Sequence, residues 1–235
     1  MNELAWTPLE RIRIERPVDR VTWIAERCRG RHVLDLGAYD ETALAKVDTE
    51  HWLHGRIALV AASVLGVDRA TDLPPQGRAT GPTSRIVPGD ATALDATLLA
   101  SQRIDVVVAS ELIEHLPDTL AFLGMLRRLL PGRELIASTP NATSVTNALL
   151  ALAARESSHR DHLQIYSLKT LGALCREAGI ERWNAVPCHV RYTEMALASH
   201  GARRAAVRGV ERAVNTVEWL FPLLSGGLIL HVPQL

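Results

Sequence analysis

An open, mostly parallel α/β sheet with helices on both faces is the fold this sequence predicts, and three observations predict it. Short apolar runs closed by Gly or Asp alternate with amphipathic segments, repeatedly, between residues 17 and 180. One of those runs, Ile104 to Ala109, is unbroken and β-branched, the composition of a strand buried on both faces. No Gly/Ser/Pro linker and no internal repeat divides the 235 residues, a length that suits one domain with an ample core. Strand-helix alternation of this kind builds a parallel sheet through right-handed crossovers.

The elements follow in order. Val21, Ile24, Ala25 and Cys28 recur at helical spacing after Pro17, so residues 17–29 predict a helix. His32 to Gly37 reads as a buried strand, 52–64 as a helix, and Leu65 to Asp68 as a second strand. The Pro-, Gly- and Thr-rich stretch 69–82 predicts a mobile connection. Arg85 to Asp90 and Ile104 to Ala109 are the third and fourth strands. A helix starts at Leu116 or Thr119 and runs to Leu130, and Pro131-Gly132 turns into a strand over Glu134 to Ser138. Ser167 as N-cap and Gly179 as terminator bound a helix over 167–178. Beyond residue 180, Arg182 to Tyr192 and Gly227 to Val232 predict two late strands separated by a helical insertion over 195–220, completing seven strands. The expected organisation is one domain: an N-terminal helical or lid segment (1–29), a ligand-binding core (30–180), and C-terminal strands with the insertion (181–235).

Composition excludes several classes. The chain is 47% hydrophobic with 26 basic and 26 acidic residues, which is incompatible with intrinsic disorder and lacks the basic excess of a dedicated nucleic-acid binder. Cys28, Cys175 and Cys188 are far apart and predict reduced, buried thiols rather than a disulfide framework or a zinc site. The charged N-terminal stretch lacks the apolar core of a signal peptide, and no run of about 18 apolar residues predicts a membrane span. A cytoplasmic protein with no membrane partner is the expectation.

Ligands of such sheets bind at the carboxyl ends of the strands, and there the polar residues recur. Strand one ends in Asp35-Leu36-Gly37-Ala38-Tyr39-Asp40-Glu41, strand two in Asp68, strand three in Gly89-Asp90-Ala91. Strand four runs into Ser110-Glu111-Leu112-Ile113-Glu114-His115. An acid at the end of strand two can accept from both hydroxyls of a ribose, and one at the end of strand three from an adenine amine. Together with SELIEHLPD (110–118), STPNA (138–142) and HLQIYSLKTLGALCREAGI (162–180), this set resembles the class I S-adenosylmethionine-dependent methyltransferases over residues 30–180. It is similar to the ubiquinone-biosynthesis-like branch, which methylates hydroxyls of small molecules and sugars.

The resemblance implies a Rossmann-like fold and a role for each matching residue. Asp35, Gly37 and Ala38 would line the methionine and ribose part of S-adenosylmethionine, Asp68 would take the ribose hydroxyls, and Asp90, with Ala91 beside it, the adenine. Ser110 and Glu111 would close the pocket. The family prefers glycine where this chain has Tyr39, and often again at Glu41, so a side chain there would narrow the approach to the cofactor. A methyltransferase-fold protein that binds without turnover is therefore one alternative. Calling for proton removal from an acceptor hydroxyl, the reaction makes His115 the candidate general base, with Glu114 beside it.

A second mechanism uses the same residues. Glu111, Glu114 and His115 stand at i, i+3 and i+4, so one helical turn would aim all three at a point, with His162 or His159 joining from the later loop. This pattern resembles the magnesium- or manganese-dependent 2′-O-methyltransferases of small RNAs, and it implies Mg2+ or Mn2+ on Glu111, Glu114, His115 and His162. The metal-free route is the first expectation. The expected acceptor is a sugar, glycan precursor or other small metabolite; nucleic acid is disfavoured, and a homodimer contact is expected of the C-terminal part. His51 and His54 have HxxH spacing without identifiable partner ligands, Trp6, Trp23 and Trp52 read as packing residues, and Arg203, Arg204, Arg208 and Arg212 as a solvated face.

Overall fold

The structure, a computed structural model, describes residues 9–39, 42–47 and 49–235. Trp6, Asp40 and Glu41 lie outside the described residues. Asp19 caps the first helix, α1 (Arg20–Arg27), its carboxylate accepting from the Thr22 amide at 2.9 Å. In chain order there follow β1 (His32–Leu36), α2 (Ala43–Lys46), α3 (Leu53–Ala58), β2 (Ser63–Asp68), β3 (Arg78–Gly81), β4 (Ser84–Pro88), α4 (Ala96–Ala100) and β5 (Val106–Ser110). The second half contains α5 (Thr119–Leu129), β6 (Glu134–Pro140), α6 (Val145–Leu152), α7 (Leu168–Glu177), β7 (Asn184–Cys188), α8 (Thr193–Leu197), α9 (Gly201–Leu220) and β8 (Gly227–Val232). A 3-10 turn, Ile113–His115, separates β5 from α5.

The strands form one sheet in the order β3-β4-β2-β1-β5-β6-β8-β7. β4, β2, β1, β5 and β6 pair in parallel, whereas β8 runs antiparallel to both of its neighbours. Among the described residues the sheet therefore has eight strands, not seven. The extra one, β3, lies within the stretch expected to be a mobile connection and pairs antiparallel with β4 across the short turn Pro82-Thr83. Its Gly- and Thr-rich sequence carries no apolar alternation, and the pairing comes from β4 rather than from local preference. The helical insertion also differs: it breaks into α8 and α9 around Ser199-His200, and the helix expected over 52–64 ends at Ala58.

Strand alternation sorts the core into two layers. Leu34, Leu36, Val107, Ala109, Leu135 and Ala137 face Phe122, Leu123 and Leu126 of α5 and Leu171 and Cys175 of α7. Val33, Val64, Val106, Val108 and Ile136 face Ile24 and Cys28 at α1 and Ile57 of α3. Phe122, Leu123 and Leu126 are almost wholly buried, each contributing about 1.5–3 kcal/mol of hydrophobic stabilisation. All three cysteines are free and buried, as expected, and burial pushes each thiol up to about 12, which leaves them without nucleophilic character.

β1 has β2 on one side and β5 on the other, so the direction of winding reverses between β1 and β5. The crevice at the carboxyl ends of those two strands is where such a sheet takes a ligand.

Candidate active site

On the β2 side of that crevice the main chain is arranged around Asp68. Gly37 has φ of +73°, a conformation that disfavours any side chain, and a Cβ there would also meet the Leu112 side chain at 3.4 Å. This turn delivers the Tyr39 amide to Asp68 Oδ2 at 2.8 Å, while the Ala70 amide donates to Oδ1 at 2.8 Å. An ionised carboxylate has about four acceptor positions, so both oxygens retain capacity for two hydroxyls. Burial lifts the Asp68 carboxyl above its ordinary value, against the pull of the Tyr39 and Ala70 amides. The Tyr39 ring is carried to the β2–β3 connection: its hydroxyl donates to Asp72 at 2.9 Å and accepts from Arg78 at 3.0 Å. The expected narrowing at this position is thus met by a side chain engaged with Asp72 and Arg78.

Asp90, just past β4, accepts from both the Thr92 amide and hydroxyl, which hold its carboxyl below the ordinary range, and its other oxygen stands 3.9 Å from Arg69. Ala91, next to Asp90, and Ala38, next to Tyr39, are buried small residues at the strand ends. Asp35 differs from expectation. Its side chain points to the α3 layer, is 3% exposed, and accepts from His54 Nδ1 at 2.8 Å. His54 Nε2 in turn contacts the Thr80 hydroxyl at 2.8 Å. Asp35 and His54 therefore join β1, α3 and β3, which accounts for His54 without a metal. Trp52 is a packing residue, as expected: its Nε1 donates to the Ala38 carbonyl at 3.4 Å. Trp23 packs edge-on against His231 at 5.7 Å under the Arg27 guanidinium.

On the β5 side, Ser110 and Ser138 are register partners, and their hydroxyls lie 2.8 Å apart. The Ser138 hydroxyl donates to Glu111 Oε1 at 2.8 Å. Arg20, the first residue of α1, reaches over both strands to Ser110 at 2.6 Å and to Glu111 at 3.4 Å. Nothing in the local sequence marks Arg20 as a site residue, and Ser138 enters the sequence reading only as the first residue of STPNA; 90 residues separate Arg20 from Ser110, and only the sheet brings them together. Glu111 has φ of +52°, held by its amide donating to the Ser138 carbonyl at 2.9 Å. A non-glycine residue so placed stores about 1–3 kcal/mol of strain, a cost common at functional sites.

That strain corrects the helical-turn expectation. Only Ile113–His115 are helical, and Glu111 lies outside the turn. Glu114 is 1% exposed, and neither of its oxygens makes a hydrogen bond. Burial, with the charge of Glu111 nearby, pushes its carboxyl up to about 8. The Thr139 hydroxyl is close enough to favour the charged form slightly, although it too lacks a well-formed hydrogen bond. Ligand atoms of Glu114, His115 and His162 all lie within 4.8 Å of one another. His115 Nδ1 is 3.2 Å from the Asp161 carbonyl, which can only accept, so the proton is on Nδ1 and the lone pair on Nε2. The His115 and His162 rings meet edge-on at 4.6 Å, with His159 5.7 Å from His162. Burial lowers His162, and the neighbouring His115 and His159 lower it further.

The loop bearing His162 is clamped to this turn. The amides of Leu163 and Gln164 both donate to the Glu114 carbonyl, at 2.8 and 3.1 Å. Gln164 Nε2 donates to the Leu116 carbonyl at 2.9 Å, and Tyr166 bonds both Gln164 and the buried Thr119. Two surface clefts, lined by Ser63, Thr83 and Arg103 and by Arg13, Leu168 and Trp183, lie away from these residues. The first sits at the amino ends of the strands, where this fold binds no ligand.

A crevice at the winding reversal, with a glycine turn on β1 and acids ending β2 and β4, defines a nucleoside-binding α/β enzyme. The model of the family described as methyltransferase domain matches residues 9–184, and the chain belongs to that family. It is a class I S-adenosylmethionine-dependent methyltransferase. No curated protein matches the chain. Among solved structures it is similar to the small RNA methyltransferase HEN1 (15% identity, TM-score 0.55), covering 94% of this chain and 26% of that one. A SAM-dependent methyltransferase from Thermotoga maritima aligns at 14% identity and TM-score 0.54, over 90% of this chain and 86% of that one. Phosphoethanolamine N-methyltransferase 2 of Haemonchus contortus, solved with S-adenosylhomocysteine, aligns at 13% identity and TM-score 0.52, over 90% and 51%. These likenesses carry the fold.

Proposed function

We propose that this methyltransferase acts on a hydroxyl of a sugar, glycan precursor or other small polar metabolite, with Glu114, His115 and His162 as ligands of a divalent cation, Mg2+ or Mn2+. The observation that carries the cation is Glu114: a carboxylate buried without a hydrogen-bond partner, converging with two imidazoles. Burial without a partner disfavours the ionised form of this carboxyl, and a bound cation would supply the partner that favours it. Of these donors the carboxylate is the type that suits Mg2+ and Mn2+. Glu111, whose charge both Glu114 and His162 feel, is not among the converging ligand atoms and bonds Ser138 and Arg20 instead.

S-adenosylmethionine supplies an electrophilic methyl group on a sulfonium centre. A cation on Glu114, His115 and His162 would act as a Lewis acid, lowering the pKa of the acceptor hydroxyl. Asp68 and Asp90 would orient the nucleoside, so that the methyl stands at the β5 side of the crevice. Arg20 and Ser138 hold Glu111 at the mouth. The Asp161 carbonyl keeps the His115 lone pair on Nε2 for a ligand, as an outer partner of a metal-binding histidine does.

The same tautomer favours a second reading, in which His115 Nε2 is the general base and no cation takes part. Likeness to a small RNA methyltransferase raises an RNA ribose as acceptor; the zero net charge of the chain weighs against it. The test is transfer of labelled methyl from S-adenosylmethionine by EDTA-treated protein to monosaccharides, nucleotide sugars and short RNA, with and without Mn2+. Label in a sugar-type acceptor, restored by Mn2+, is the expected result. Transfer indifferent to EDTA would favour the general base, and label in RNA alone would overturn the acceptor class.

A further inference from the structure

α6 and α9 carry a surface that methyl transfer does not use. The sequence of α6, VTNALLAL, has no charged residue, and none of its residues is fully buried. Leu149 and Leu152 on α6, Val210, Trp219 and Leu220 on α9, and Phe221 just after it are each more than half exposed. The two helices pack side by side. Thr143, ahead of α6, bonds the Leu223 carbonyl beyond α9, and Thr146 meets Tyr192, whose amide bonds Glu211 midway along α9. α6 therefore runs antiparallel to α9, and its leucines extend the apolar surface toward the amino half of that helix.

The outward charge of α9 has one sign. α9 has two acids, and both turn inward: Glu218 is fully buried against His189 at 2.9 Å, and Glu211 pairs with Arg191 at 3.2 Å. Arg203, Arg208 and Arg212 are left exposed. Arg16 adds a further cation, its guanidinium lying over the Trp219 ring at 4.2 Å. Exposed Trp, Leu and Phe beside arginines, with both acids of α9 drawn inward, is the composition of a helix lying in a lipid interface. A second copy fits less well, because a two-fold contact would set these arginines against themselves.

We infer that the α6–α9 face docks on the surface of an anionic lipid bilayer. Among the described residues no helix is long and apolar enough to cross a membrane, so the contact is peripheral. The expectation of no membrane partner came from the lack of a spanning run, and it does not bear on a surface contact. Arginine steers the face to the headgroups, and Trp219, Leu220 and Phe221 enter the interface. The inference does not depend on the methyl acceptor.

Co-sedimentation of the full chain with phosphatidylcholine vesicles, and with vesicles containing about one quarter phosphatidylglycerol, tests it. The wild type should partition onto the anionic vesicles about 10–100-fold more than onto phosphatidylcholine, and high salt should abolish the excess. The triple variant Arg203→Glu, Arg208→Glu, Arg212→Glu and the double variant Leu220→Ser, Phe221→Ser should each lose it, with S-adenosylhomocysteine binding retained as the check on folding. No anionic excess in the wild type overturns the inference, whatever the variants do. So does binding that both variants retain, concentration-dependent dimerisation without vesicle binding, or affinity for RNA alone.

Discussion

Glu114 and His162 are brought together by main chain. The carbonyl of Glu114 accepts from the two amides that follow His162, those of Leu163 and Gln164. The buried carboxylate and the imidazole of a distant loop are thereby held on one side of the β5 crevice, before any ligand joins them. His115 belongs to the same unit through its Nδ1 bond to Asp161.

This arrangement makes His115 and His162 equivalent in one respect. His115→Ala and His162→Ala should each lower turnover about 10²–10⁴-fold while S-adenosylhomocysteine affinity stays nearly constant. The ratio of the two losses separates the readings: similar losses fit shared ligation, and a loss confined to His115→Ala fits a general base.

Asp68→Ala should act in the opposite sense, weakening S-adenosylhomocysteine by about 1–3 kcal/mol, or roughly 5–150-fold in Kd. Titration calorimetry measures it. An unchanged Kd would remove Asp68 from the cofactor site.

Tyr39→Gly tests whether the departure from the family's glycine narrows the pocket. The ring is already bonded to Asp72 and Arg78, so removing it should leave the Kd for S-adenosylhomocysteine within about 3-fold, well under the 1.4 kcal/mol of a tenfold change. Tenfold tighter binding would show that Tyr39 obstructs the site.

Acid stability should depend on Glu134, at the start of β6. It bonds Arg31 at 2.5 Å and His231 at 2.9 Å. Burial would raise its carboxyl, but the bonds from His231 and Arg31 together hold it below the ordinary 4.5. A carboxyl lowered in the folded state contributes stability present in full above its unfolded pKa and lost as pH falls through the folded value. Urea unfolding at about pH 7 and about pH 3 should show a smaller loss for Glu134→Gln than for wild type. Equal losses would mean that this cluster is not linked to acid unfolding.

Residues whose role follows from local pattern were legible in the sequence. Gly227–Val232 is a strand at the expected bounds, and Ser167 caps α7 through a capping box with Thr170. The acids ending β2 and β4 were readable because strand ends are where this fold binds ligands. What escaped was long-range. β3 takes its conformation from β4, Arg20 reaches the site only once the sheet is closed, and Asp35 turns toward α3 because alternation puts it on the same face as Val33. The charge asymmetry of α9 was hidden because Glu211 and Glu218 are interleaved with the arginines in sequence and segregate only in the folded protein.

Thermal unfolding of EDTA-treated protein with S-adenosylhomocysteine, then with Mn2+ added, tests the central claim most directly. Ligands that bind only the folded state raise Tm by mass action. The account predicts a rise with S-adenosylhomocysteine and a further rise with Mn2+, the second absent in Glu114→Gln. No second rise in the wild type, or one that Glu114→Gln retains, would contradict a cation at Glu114, His115 and His162.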